Sequence, residues 1–135
     1  VTGPARPPDV RFEHVAAPVP EGLRTIVVRD GEGRVVGRLA YQVCRPCRLG
    51  YVECVAVSPC RQGRGIGRRA LHTALSQGAD HTWSTSRQSA DGRRFFAAVA
   101  EETDRDFPAT AARCPHMLAA RPGGPVRNLL ARHRL

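Results

Sequence analysis

Three glycines at alternate positions, Gly63, Gly65 and Gly67, stand among Arg61, Arg64, Arg68 and Arg69 in the segment 55–71, VAVSPCRQGRGIGRRAL. Glycine removes side chains where a chain turns tightly. Backbone N–H groups at a helix start can then converge on an anion, helped by the partial positive charge of the first turn. The arginines surround that point with planar, permanently charged donors. The chemistry this pattern suits is binding of a phosphate or diphosphate. A lysine P-loop is excluded, because the chain contains no lysine. The spacing is also wrong for the G-x-G-x-x-G dinucleotide fingerprint. The plainer reading is a tight strand-to-helix turn with no ligand.

Two further groups of residues could do chemistry. Glu53 lies inside the apolar run YVECVAV, and a carboxylate there is costly to bury unless it is paired or functional. Strict alternation would put Tyr51, Glu53 and Val55 on one face of a strand, and Val52, Cys54 and Ala56 on the other. Cys44 and Cys47 have the C-x-x-C spacing of half a zinc knuckle, and Cys114-Pro115-His116 could supply two more ligands. Cys54 reads as a small core residue. Five cysteines, with no secretory leader expected, argue against a disulfide framework.

These residues need elements to hold them. Short strands are expected over 10–16, 23–29, 35–43 and 51–57, with Asp30-Gly31-Glu32-Gly33 as a hairpin turn. From Gly65 the period changes. Ile66, Ala70, Leu71, Ala74 and Leu75 recur at helical spacing, and Gly78 ends that helix. A buried strand over 81–85 follows, so a parallel crossover pair is expected. Ser89 or Asp91 would cap a second helix running to about Glu102, with Phe95, Phe96 and Val99 as its stripe. Residues 107–120 are expected to form two short closing strands, and the last ten a short basic helix. The expected fold class is α/β (α+β), a mixed and mostly antiparallel sheet with two main helices. Residues 1–9 read as a loose N-terminus, 10–120 as one domain, and 121–135 as a basic tail.

Gln62-Gly63-Arg64-Gly65-Ile66-Gly67 resembles the Q/R-x-x-G-x-G/A signature of the GCN5-related N-acetyltransferases. The apolar strand before it, the Val57-Ser58-Pro59 step and the helix after it are similar to that family's central motif. The likeness extends over about residues 22–102. It implies a sheet splayed between its fourth and fifth strands, with acetyl-coenzyme A (acetyl-CoA, the cosubstrate) entering the split. Backbone groups of Val55 and Val57 would then pair with the pantetheine arm. Gln62, Gly63, Arg64, Gly65, Ile66, Gly67 and Arg68 would hold the diphosphate. The two helices that usually follow the first strand have no room here. The tyrosine many members carry after the fifth strand is replaced by Phe95 or Phe96, neither of which can donate a proton. The family topology also places Cys44 and Cys47 at the end of the sheet away from the splay and Cys114 near it, so no metal is expected.

Acetyl transfer to an amine needs a base, an oxyanion site and a way to protonate the leaving thiolate. Glu53 is the expected catalytic base. His81 and His116 are weaker candidates that read more readily as structural. The expected function is an acetyl-CoA-dependent N-acyltransferase working by direct attack of an amine, carried by a small molecule or a protein. Trp83, Phe95 and Phe96 would make the acceptor side partly apolar. One alternative is a coenzyme A-binding protein with little or no turnover. Another is a nucleic-acid binder using the net charge of +9, which the all-arginine, Ala/Gly/Pro-rich composition makes the weaker reading. The chain has 135 residues and 41% hydrophobic residues, enough for one cored domain. No apolar run approaches the ~20 residues of a membrane span, so no membrane partner is expected, and the expected location is cytoplasmic. Exposed sheet edges are compatible with a homodimer.

Overall fold

The computed structural model describes residues 10–109 and 113–120. The expected N-terminal segment and basic tail lie outside the described residues. Five strands form one sheet whose spatial order follows the chain: β1 (Arg11–Val15), β2 (Arg24–Arg29), β3 (Val35–Cys44), β4 (Leu49–Val57) and β5 (Thr82–Thr85). The first four are antiparallel neighbours and β5 runs parallel to β4. Helix α1 (Ile66–Leu75) makes the crossover, and α2 (Ala90–Thr103) follows β5. A short helix, α3 (Pro115–Ala119), comes last.

Local chemistry accounts for these boundaries. The Asp30 carboxylate accepts the N–H groups of Glu32 and Arg34, each at 2.9 Å, and Gly33 takes a left-handed φ of 84°, which closes the β2–β3 turn. Ser89 caps α2, its hydroxyl accepting the Gly92 N–H at 3.0 Å. Between β1 and β2 the link is a short loop closed by Gly22 N–H on the Val19 carbonyl at 3.0 Å. β1 therefore pairs directly with β2, and there is no room for intervening helices.

The main core lies between one face of the sheet and α1 with α2. Ile26, Leu39, Val52 and Val55 meet Ala70, Leu71, Ala74 and Leu75 of α1 and Phe96 and Val99 of α2. Replacing one such leucine by alanine typically costs ~2–5 kcal/mol. Trp83 belongs to this core. It is 2% exposed, donates its indole N–H to the Gly78 carbonyl at 2.9 Å, and lies so close over Gly50 that an added Cβ would come within 2.3 Å of the ring. It is therefore not available to line an acceptor site.

Two expectations are corrected. Val52 and Val55 face the same core, whereas Tyr51 and Cys54 belong to clusters separate from it. The cause is a bulge: Ala40 pairs with Cys54 and Tyr41 with Val52, leaving Glu53 as an extra residue on β4. One extra residue reverses the alternation beyond it. Residues 107–120 also do not supply two strands. Among the described residues they give a single bridge between Ala109 and Thr85, then α3. Pro115 cannot donate to a ladder but suits the first position of a helix, where its missing N–H costs nothing.

Candidate functional site

β4 and β5 pair only from Leu49/Thr82 to Val52/Thr85. Two hydrogen bonds mark where they part: Ser86 N–H to the Val52 carbonyl at 2.9 Å, and the Ser86 hydroxyl to the Glu53 carbonyl at 2.6 Å. Beyond that point, among the described residues, β4 continues to Val57 with no strand paired on this side. Ser58 N–H donates to Val36 of β3 at 2.8 Å. Strand alternation then directs Ala56 toward β3 and the backbone groups of Val55 and Val57 toward the opened side. Exposed strand groups of this kind need a partner. The Val57 carbonyl has one in the Gln62 side-chain amide at 3.0 Å.

The glycine segment sits at the mouth of this opening. Gly63 and Gly65 adopt φ of 80° and 79°, a region unfavourable to other residues. Gly65 is the N-cap of α1, so the helix begins at Ile66 with its N–H groups at the turn. Gly67 packs closely, and a Cβ there would lie 3.3 Å from the Phe95 ring, a tight contact. The result is an open cleft of about 460 Å³ lined by Val57, Gln62, Gly63, Gly65, Ile66, Gly67 and Arg68, together with Arg61, Asp91 and Phe95. Val55 instead lines a small cavity of about 20 Å³ within the split, with Cys54, Ser86 and Phe96 around it. Arg64 is exposed and outside the cleft lining.

The arginines differ in freedom. Arg61 reaches the buried Asp30 carboxylate at 3.4 Å. Asp30 is itself held below the usual carboxyl range, chiefly by the Arg34 backbone N–H. Arg68 is bonded to Glu102 of α2 at 2.8 Å, and His72 reaches the same carboxylate at 2.9 Å. His72 first, then Arg68, lowers the Glu102 pKa. Arg69 lies over the Phe12 ring at 4.7 Å. Two arginines are thus braced at the cleft by carboxylates.

Glu53 is 6% exposed, at the bulge where the strands separate. Its carboxylate is 3.4 Å from an Arg113 guanidinium nitrogen, and that guanidinium lies 4.6 Å above the Tyr51 ring. Arg113 carried no signal in the sequence. Arg61 and Phe95 did, as an arginine beside the glycines and as the residue in the tyrosine position. Phe95 and Phe96 pack edge to face at 5.1 Å, and no tyrosine lines the cleft. His81 is bonded to Asp80 at 2.9 Å and packs on Gly78, which fits a structural role.

His116 lies elsewhere, with Cys44, Cys47 and Cys114. Their ligand atoms all fall within 4.8 Å of one another. The topological ground for expecting no metal therefore fails: α3, not a strand near the split, carries this part of the chain, and it brings Cys114 back to the β3–β4 turn.

The sequence profile of the Acetyltransferase (GNAT) family matches residues 3–102. This chain belongs to the GNAT acetyltransferase family. No curated protein matches it. Among solved structures it is similar to a Deinococcus radiodurans R1 protein assigned as an acetyltransferase, with TM-score 0.59 and 12% identity over 91% of this chain and 100% of that one. It is also similar to a Trypanosoma brucei acetyltransferase, with TM-score 0.52 and 20% identity over 70% of this chain and 68% of that one. Three further acetyltransferase chains are spanned over only 52–54% of their length. At these identities the likeness is one of fold: a GNAT sheet, mostly antiparallel and parallel between β4 and β5. Among the described residues no helix is long and apolar enough to cross a membrane.

Proposed function

We propose that this GNAT protein is an N-acyltransferase that passes an acetyl group from acetyl-CoA to an amine by direct attack. The observation that carries this reading is the meeting, at one end of β4, of an opened strand edge and a glycine-lined cleft. The loop N–H groups from Gln62 to Gly67, with Arg61 and Arg68, suit a diphosphate. The outward backbone groups of Val55 and the N–H of Val57, whose carbonyl is taken by Gln62, suit the amides of a pantetheine arm, taken as an added strand would be. Bound there, acetyl-CoA supplies an activated thioester. Glu53 takes the proton of the attacking amine, directly or through a water, and Arg113 fixes the direction of its carboxylate. The new bond is carbon to nitrogen, and the carbon–sulfur bond breaks. With no tyrosine at the cleft, the thiolate takes its proton from water.

The acceptor is an amine on a small molecule or a protein. The compartment is one holding acetyl-CoA, the cytoplasm. A homodimer through the exposed sheet edge is compatible with the function and not required by it. The test is thioester consumption over a panel of amines, with Glu53→Gln beside the native chain. Turnover with at least one amine, and a fall in kcat with acetyl-CoA binding retained in the variant, is the expected result. A second reading is favoured by Phe95 at the cleft: a coenzyme A-binding protein without turnover. It would bind acetyl-CoA yet consume none above background.

A further inference from the structure

Cys44 ends β3, and Cys47 lies in the turn that follows. Cys114 is the N-cap of α3, and His116 is in its first turn, 69 positions beyond Cys47. His116 Nδ1 lies 3.5 Å from Cys44 Sγ, 3.4 Å from Cys47 Sγ and 3.9 Å from Cys114 Sγ. No pair among the four donor atoms is more than 4.8 Å apart. A zinc ion with Zn–S of ~2.3 Å and Zn–N of ~2.0–2.1 Å has tetrahedral edges of about 3.6 Å between sulfur and nitrogen, and about 3.8 Å between sulfurs. The observed nitrogen–sulfur distances bracket that edge. All the cysteines are free thiols, so no disulfide uses these sulfurs.

We propose that Cys44, Cys47, Cys114 and His116 form a structural zinc site that fastens α3 to the β3–β4 turn. The donor set decides the metal class. Three sulfurs and one imidazole suit zinc and exclude the hard, oxygen-seeking calcium and magnesium. Four protein ligands leave no open position, which marks a structural site and not a catalytic one. Binding is balanced by loss of the three thiol protons, because the ligand is the thiolate. The fold gives the ion a task. α3 has only five residues, too few to be stable alone. Its other anchors are Met117, packed with Tyr51 and Cys44, and the Met117 carbonyl, which accepts the Gln42 amide at 2.9 Å. The same segment carries Arg113, the partner of Glu53, next to Cys114. The site stands at the opposite end of β4 from the glycine cleft, and its assignment does not depend on what that cleft binds.

The test uses the full chain, expressed with zinc and purified under reducing conditions. Elemental analysis of the native protein should give one zinc per chain. After zinc is removed, titration with cobalt(II) should develop the intense visible bands of tetrahedral cobalt and a thiolate charge-transfer band, saturating at one equivalent. His116→Ala and Cys47→Ser should weaken cobalt binding at least ~100-fold, since losing an outer-shell partner alone can cost 10–100-fold. Cys60→Ser removes an exposed cysteine outside the cluster and should change neither readout. Circular dichroism checks that each variant folds. The proposal is overturned if folded, reduced native protein holds below about 0.1 zinc per chain and gives no tetrahedral cobalt spectrum. A Cys44–Cys47 disulfide in place of the metal, or an equal loss in Cys60→Ser, would overturn it as well.

Discussion

The two ends of β4 offer opposite means of binding. At the Val57 end the strand has parted from β5, and the donors are backbone N–H groups presented by glycines with left-handed φ at two of three positions. At the Leu49 end the sheet is fully paired, and the donors are four side chains already drawn together. An open edge with backbone donors suits a long ligand that comes and goes. A closed ring of side-chain donors suits an ion that stays. Glu53 lies between the two, at the β3–β4 bulge next to the point where β4 and β5 part, while its partner Arg113 belongs to the other. On the proposed reading, the Glu53 carboxylate is aimed by Arg113 from the cysteine-histidine end and serves a ligand held from the cleft end.

The largest expected effect would break the metal end alone. Zinc supplied at about 1,000 times its Kd adds ~4 kcal/mol to stability. For a chain of this size that is roughly 10–15 °C in Tm. Differential scanning of zinc-loaded and zinc-stripped protein should show it, while acetyl-CoA affinity changes by less than about twofold, because the two sites are separate. A large parallel loss of affinity would erase the distinction between the ends.

Glu53→Gln comes next. General-base loss costs ~10²–10⁴-fold in kcat, with acetyl-CoA affinity retained. Steady-state kinetics beside calorimetry separates the two quantities, and an unchanged kcat would remove Glu53 from the chemistry. A smaller change tests how α2 is set against the cleft. Ser89→Ala removes its cap and should cost ~1 kcal/mol in urea unfolding.

The smallest effect concerns the Glu102 brace on Arg68. The folded pKa of Glu102 lies below its ordinary 4.5. Its contribution is therefore present above that value and lost as pH falls through the folded pKa. Glu102→Gln should be slightly less stable than the native chain near neutral pH. The difference should shrink as pH drops below about 4.5. A gap that persists in acid would mean the carboxylate's charge is not what matters.

The strands, both long helices and the glycine segment were legible because each is written locally, in alternation, helical spacing and turn residues. Three features were not. The bulge at Glu53 depends on how β4 registers against β3, which no window of β4 contains. The sequence around α3 reads as strand because Pro108 and Pro115 obscure any period, and five residues carry too little pattern to show a helix. The meeting of Cys44 and Cys47 with Cys114 and His116 depends on where that short helix returns along the sheet. Spacing suggested the ligands, but only topology could join them. The Arg61–Asp30 and Arg113–Glu53 pairs are likewise long-range and have no local signature.

The most direct test of the central claim is calorimetric titration of the native protein and a Gly65→Trp variant with acetyl-CoA, with circular dichroism on both. The left-handed φ at Gly65 makes this substitution cost ~1–2 kcal/mol, which a cored domain should survive. Its side chain would stand at the N-terminus of α1, where the phosphates are expected. Micromolar binding by the native chain, weakened at least ~100-fold (about 2.7 kcal/mol) in a folded variant, is the predicted result. A folded native chain that does not bind, or a folded variant that binds equally well, would contradict the assignment of the cleft.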